Sequence, residues 1–92
     1  MDSVQVIEHI AINPTVRNGR PYVLGTTVTV SDVVIALLYH EKDADGIAGW
    51  YSLSLAEVYA ALSYYYQNKE QLDGQIREQI RRAEALKERR AG

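Results

Sequence analysis

Apolar residues fall on alternate positions near the start of the chain, at Val4 and Val6 and again at Ile10 and Ile12. That is strand spacing with one face buried. A first strand is therefore predicted over part of Ile7 to Ile12, stopped by Asn13-Pro14, with Arg17-Asn18-Gly19 as a turn. The stretch from Gly19 to Asp32 then reads as two short β runs joined at a glycine. In the second run Val28 and Val30 alternate with Thr27 and Thr29, apolar on one face and polar on the other. Gly25-Thr26 fits a two-residue type II′ turn, whose first central position needs the positive φ that glycine takes freely. Pro21 has no N–H to donate and belongs at a strand start or an edge. Added to the first strand, this hairpin makes a three-stranded sheet, a unit that is stable where a lone hairpin is not.

After Ser31 the apolar period changes from two to about 3.6. Ser31 is the predicted N-cap of a first helix over about Asp32 to Tyr39, with Asp32 at the positive end of the helix dipole. Val34, Leu37 and Leu38 share its apolar face, with Val33 at the margin. His40-Glu41-Lys42-Asp43 is a polar loop. A short second helix over about Asp45 to Trp50 is weakened by Gly46 and Gly49. Ser54-Leu55-Ala56-Glu57 is a capping box, with Leu53 placed to staple against the first turn. It opens a third helix from Leu55 to about Gln67, striped by Leu55, Val58, Tyr59, Leu62, Tyr65 and Tyr66.

A bend at Gln67-Asn68-Lys69, with Asn68 as cap, sets off a last helix from Lys69 to Arg89. Leu72, Ile76, Ile80, Ala83 and Leu86 form a narrow stripe along it. Asp73 with Arg77 and Glu78 with Arg82 are four-apart pairs, each contributing only about 0.2–0.5 kcal/mol. Such a helix is marginal alone in water. It is expected to dock on its own domain, on a second copy or on another protein.

Charge sharpens this division. Through Gln67, Arg17, Arg20 and Lys42 face seven carboxylates, a surplus of four negative charges. From Asn68 onward seven basic residues face five acidic ones, a surplus of two positive charges. An acidic body with a basic extension is poorly equipped for phosphate neutralisation over its globular part. At 92 residues the chain is one small domain that buries only about two-thirds of its unfolded surface, which favours a partner or a homodimer. There is no cysteine, so thiolate chemistry and disulfides are excluded. No apolar run reaches membrane-spanning length and no leader-like segment opens the chain, so the expected location is the cytoplasm.

Candidate chemistry is sparse. Neither His9, in the expected first strand, nor His40, at a helix end, accompanies a nucleophile motif, and both read as structural or solvent-exposed. His40, Asp43 and Asp45 are the only local metal-ligand candidates, and they lack the glycine and the distant Glu of a calcium loop. The glycines have the wrong spacing for a phosphate loop. No cofactor and no enzymatic activity are expected. Trp50, Tyr51, Tyr59, Tyr64, Tyr65 and Tyr66 concentrate in one quarter of the chain. Core packing accounts for Tyr59, Tyr65 and Tyr66, whereas Tyr64, on the opposite side, and Tyr51 fit an interface role and simple partial exposure equally well.

Gly19-Arg20-Pro21, Gly25-Thr26, the Val28-Thr29-Val30-Ser31-Asp32-Val33 run, Asn13-Pro14, and Trp50-Tyr51-Ser52-Leu53-Ser54 with Glu57-Val58 resemble domain of unknown function family 433. The resemblance covers Ile10 to about Tyr66. The family often has Arg after the Gly-Thr pair, where this chain has Thr27. The resemblance implies a winged-helix-like, helix-turn-helix-related fold. It also implies an antitoxin that pairs with a toxin of the PIN-like ribonuclease group.

The expected fold is thus α+β: a small antiparallel sheet, a helix-turn-helix-like trio in a domain over 1–67, and a C-terminal helical arm over 68–92. In the arm, Arg77, Arg81 and Arg82 would meet the toxin's clustered carboxylates through forked hydrogen bonds, with Leu72, Ile76 and Ile80 as apolar anchors and Tyr64 nearby. The alternative is a DNA-binding regulator, acting on its own operator. Between Leu55 and Tyr66 only Glu57 and Ser63 stand among apolar residues and tyrosines, so base reading falls to Arg17, Asn18 and Arg20 or to the basic tail.

Overall fold

The computed structural model describes residues 5–91, with side chains placed for 8–88. Val4, and the side chains of Val6, Ile7, Arg89 and Arg90, lie outside the described residues. The chain runs as β1 (Gln5–Ile7), β2 (Ile10–Ile12), β3 (Tyr22–Val23), α1 (Val30–Leu38), α2 (Ala44–Tyr51), α3 (Leu55–Gln67) and α4 (Lys69–Ala91). The class is α+β, with one antiparallel sheet in the order β1-β2-β3. β1 pairs with β2 with Val6 opposite Ala11, and β2 pairs with β3 with Ile10 opposite Val23. The expected first strand is two strands. Glu8 and His9, both at positive φ (38° and 71°), form the tight turn between them, so His9 sits in a turn rather than in a strand.

The second β run is shorter than its alternation suggests. Thr27–Val30 supplies a single bridge from Thr29 to Tyr22, together with the Val23 N–H bond to Val28 O at 2.8 Å. The turn before it is centred on Leu24-Gly25 and not on Gly25-Thr26: Thr26 N–H bonds Val23 O at 3.0 Å, and Gly25 has φ 85°. Glycine therefore occupies the second central position, as in a type II turn. Thr26 Oγ1 accepts the Val28 N–H, so a side chain takes over where a ladder would have continued.

That economy lets α1 start early. Its N-cap is Thr29, whose Oγ1 accepts the Asp32 N–H while Asp32 Oδ2 accepts the Thr29 N–H, a reciprocal capping box. Ser31, expected as the cap, is instead buried within the first turn. Because α2, α3 and α4 all contact α1, its buried set is Val30, Val33, Val34 and Ala36, and Leu38 is exposed. α2 is capped by Asp43 and ends at Ser52, which takes a left-handed conformation.

The box at Ser54 and Glu57 forms as the sequence predicts, and α3 has the expected bounds. Its inner face differs. Val58, Ala61 and Tyr65 are buried, while Leu55, Tyr59 and Tyr66 are exposed, so the buried face is turned about one residue round the helix. Ala61 is the reason: its small side chain lets α3 approach the elements that cover it, and the phenol groups of Tyr59 and Tyr66 are at ease in water. Tyr64 is half-buried against the core, not on a free side.

The bend falls at Asn68 as expected, but its side chain looks backward. Asn68 Nδ2 donates to Tyr64 O at 3.0 Å and closes α3 rather than capping α4. Leu72 and Ile76 then join Ile10, Val23, Val33, Ile47 and Val58 in one core. The first part of the extension is thus built into the body.

Candidate partner-binding surface

α4 is two different objects in one helix. Its root is fixed by packing and by two polar locks. At the bend, Tyr65 Oη donates to Asp73 Oδ1 at 2.7 Å and Lys69 Nζ to Asp73 Oδ2 at 2.9 Å. These bonds hold the Asp73 carboxyl below its usual pKa, the Lys69 bond first, while burial pushes the Tyr65 hydroxyl up.

Further along, Gln79 closes a ring on the start of α1. Asp32 N–H bonds Thr29 Oγ1, which donates to Ser31 Oγ at 3.1 Å. Ser31 donates to Gln79 Oε1 at 3.2 Å, and Gln79 Nε2 returns to Asp32 Oδ1 at 3.1 Å. Thr29 and Ser31 are both buried, so each hydroxyl needs its partner. The ring was missed in the sequence, although a glutamine interrupting an apolar stripe between Ile76 and Ala83 is the signal that marks it.

Beyond Ile80 the helix leaves the body. Residues 81–88 are all exposed, Leu86 at 58%. Arg81 forks onto Glu78, Nη2 donating to Oε1 at 2.6 Å and Nε to Oε2 at 3.2 Å, and Arg82 Nε reaches the same carboxylate at 3.3 Å. Of the expected four-apart pairs only Glu78 with Arg82 forms: Asp73 takes Lys69, and Arg77 has no carboxylate within ion-pair distance among the described residues. Of the expected contact residues, then, Leu72 and Ile76 are spent on the chain's own core. Ile80 is half-buried at its margin; Arg77 is an exposed side chain on the packed root, and Arg81 and Arg82 lie on the exposed turns past Ile80.

Two other features stand out. Arg17, Asn18 and Gly19 all have positive φ (50°, 58° and 77°), making a strained turn with Arg17 and Asn18 exposed. Arg17 lies 3.8 Å from the Asp32 carboxylate, so its charge is already partly answered. At the corner between α1 and α2, Trp50 is half-exposed. It stacks on Tyr51 at 5.6 Å, meets the edge of His40 at 5.5 Å, and carries the Lys42 ammonium 4.6 Å above its ring. Among the described residues no cluster of three His, Asp or Glu side chains could hold a metal ion, and Asp43 Oδ1 is engaged by the Gly46 N–H at 2.8 Å. No helix among them is long and apolar enough to cross a membrane.

With the sheet, the capped helices and the strained turn in place, the family described as "Protein of unknown function (DUF433)" matches residues 10–65. The chain belongs to this family. The DUF433 match begins at β2 and ends at Tyr65, four residues before α4, so the region outlined by the family carries the core and α4 lies beyond it. Neither the curated proteins nor the solved structures include a significant match to the chain.

Proposed function

We propose that this DUF433 chain is a non-enzymatic, antitoxin-like binding protein of the cytoplasm, which covers a partner protein with the exposed outer face of α4. The resemblance set out above makes the partner a PIN-like ribonuclease. The observation that carries the reading is the rooted helix: an arm whose base is locked by Asp73 and Gln79, with Arg77 exposed on the outer side of that base and Arg81 and Arg82 on the exposed turns beyond it. An arm already helical loses less entropy on binding than one that must fold first. Guanidinium forks match clustered carboxylates, and the exposed bonds of Arg81 and Arg82 to Glu78 contribute little, so exchanging Glu78 for a partner's carboxylates costs little.

The test is RNA cleavage by a purified PIN-like ribonuclease, drawn from the open reading frames neighbouring that of this chain. Full-length protein should form a stable complex and stop cleavage, and Arg77→Glu with Arg81→Glu should weaken the complex about tenfold or more. Full activity of the nuclease in excess chain, with no complex, would end this account.

A DNA-binding regulator is the second reading, favoured by the exposed side chains of Arg17 and Asn18 on the strained turn beside Arg20. The exposed side of α3 offers Tyr59, Ser63, Tyr66 and Gln67, with no Arg or Lys on it, so it is poorly supplied with base-reading side chains. It predicts an operator gel shift that fades steeply with salt and is damaged by Arg20→Ala. No shift at low salt would dispose of it.

A further inference from the structure

The run Gly19-Arg20-Pro21 has no part in the arm, yet its arginine lies beside the root of α4. Arg20, Gln71, Gly74, Gln75 and Glu78 line an open cleft of about 390 Å³, within the range of about 300–1,000 Å³ usual for ligand sites. Residues 71, 74, 75 and 78 follow helix spacing, so one face of α4 and the turn before β3 build the cleft together. We infer that this cleft binds an α-amido carboxylate, the grouping found at the C-terminal residue of a peptide and in an N-acylated amino acid.

Three independent observations meet there. The first is an orphan acceptor. Gln75 Oε1 is buried without a donor, and no other buried side-chain polar atom among the described residues lacks a partner. A carbonyl oxygen removed from water and left unpaired is costly. A donor in the cleft removes that cost once the half-buried Gln75 side chain turns its amide towards it.

The second is an unanswered cation. Arg20 has no carboxylate within ion-pair distance among the described residues, for Asp32 is shared with Arg17 and Glu78 is taken by Arg81 and Arg82. Its side chain makes one long bond, Nε to Arg17 O at 3.4 Å, which leaves the Nη groups for the oxygens of a carboxylate. The backbone that carries it is already set. Arg20 N–H donates to Arg17 O at 3.1 Å, and the next carbonyl, Pro21 O, accepts Val30 N–H at 2.9 Å.

The third is a glycine that the packing does not require. Gly74 is the single glycine of α4, and after proline glycine is the residue least suited to a helix interior. A Cβ there would meet nothing nearer than Arg77 Nη2 at 3.9 Å. Glycine does serve where a ligand comes close to the backbone. The ligand therefore carries a donor for Gln75 Oε1 and an anion for Arg20, and it lies close against Gly74. An amide N–H two bonds from a carboxylate carbon meets all three demands; a bare carboxylate lacks the donor and an uncharged amide lacks the anion. The cleft makes no use of Arg77, Arg81 or Arg82, so it stands apart from the arm's partner.

Titration of the full chain with N-acetylglycine, followed by amide chemical shifts, tests this. The expected result is saturable, millimolar binding, as suits so small a ligand, with shifts centred on Arg20 and residues 71–78. Propionate, without the N–H, and N-acetylglycinamide, without the charge, should each bind at least about tenfold more weakly. Arg20→Gln should weaken N-acetylglycine about tenfold or more. Gly74→Ala should do the same while raising Tm by about 4–8 °C, a pairing that a merely structural glycine does not give. Tighter binding of the acetylated tripeptide alanyl-alanyl-glycine assigns the cleft to a peptide end, and equal binding assigns it to a free acylamino acid. The absence of any shift overturns the proposal. So does propionate or inorganic phosphate binding as well as N-acetylglycine, or an affinity that Gly74→Ala leaves unchanged.

Discussion

Within one unbroken helix, Leu72 and Leu86 occupy the same apolar stripe and have opposite fates: Leu72 is fully buried and Leu86 is 58% exposed. Their sequence surroundings are alike, with charged residues on both sides of each. What separates them is the surface beneath. α1 and α3 lie under the root of α4, and past Ile80 there is only the end of α1. A helix stripe records that a surface is wanted, and the rest of the chain decides whether it supplies one. The root therefore belongs to stability, and the tip is left for association.

The largest expected effect breaks the root. Leu72→Ala removes a fully buried side chain at the junction of α4 with the core and should cost about 2–5 kcal/mol, measured by urea unfolding. In a domain of this size that consumes much of the total stability. If the loss were no larger than for Leu86→Ala, the packing of α4 on the body would be wrong.

The next variant releases the root without opening a cavity in the core. Gln79→Ala leaves Ser31 Oγ buried with no acceptor and should cost about 1–3 kcal/mol. Hydrogen exchange should quicken from residue 79 to the end of α4 while α3 keeps its protection. Uniform exchange through α4 before and after the change would show that the ring does not anchor it.

The elements whose causes are local were legible in the sequence. The Ser54–Glu57 capping box and the bounds of α3 depend on residues three apart, and both are as predicted. The α+β class also followed from periodicity, whereas the strand count agrees only because the expected first strand is split in two and the expected strand before α1 is reduced to a bridge. What escaped was set by neighbours distant in the chain. Thr29 and not Ser31 caps α1, because Asp32 completes a box with Thr29 while Gln79, 48 residues on, claims Ser31. The face α3 buries is decided by what packs on Ala61, and a period of 3.6 is equally content with the stripe through Tyr59 and Tyr66. At the candidate surface, the positions of Arg81 and Arg82 could be read, but the reassignment of Leu72 and Ile76 to the core could not.

A smaller, pH-dependent effect tests the other lock on the root. The Asp73 carboxyl, held by Lys69 and Tyr65, has a folded pKa below its unfolded one. Its contribution is therefore complete above the unfolded value and disappears as pH falls through the folded value. Asp73→Asn should destabilise the protein most at about pH 5 and above, and the gap from the natural chain should close towards about pH 2. A constant gap across that range would mean the carboxylate charge is not what secures the bend.

The smallest expected effect falls at the tip, where the helix has left the body. Leu86→Ala should change unfolding stability by no more than about 0.5 kcal/mol, since an exposed side chain has little burial to lose. Urea unfolding beside Leu72→Ala measures the two ends of the stripe on one scale. A large loss for Leu86→Ala would place Leu86 in the chain's own core and erase the contrast between root and tip.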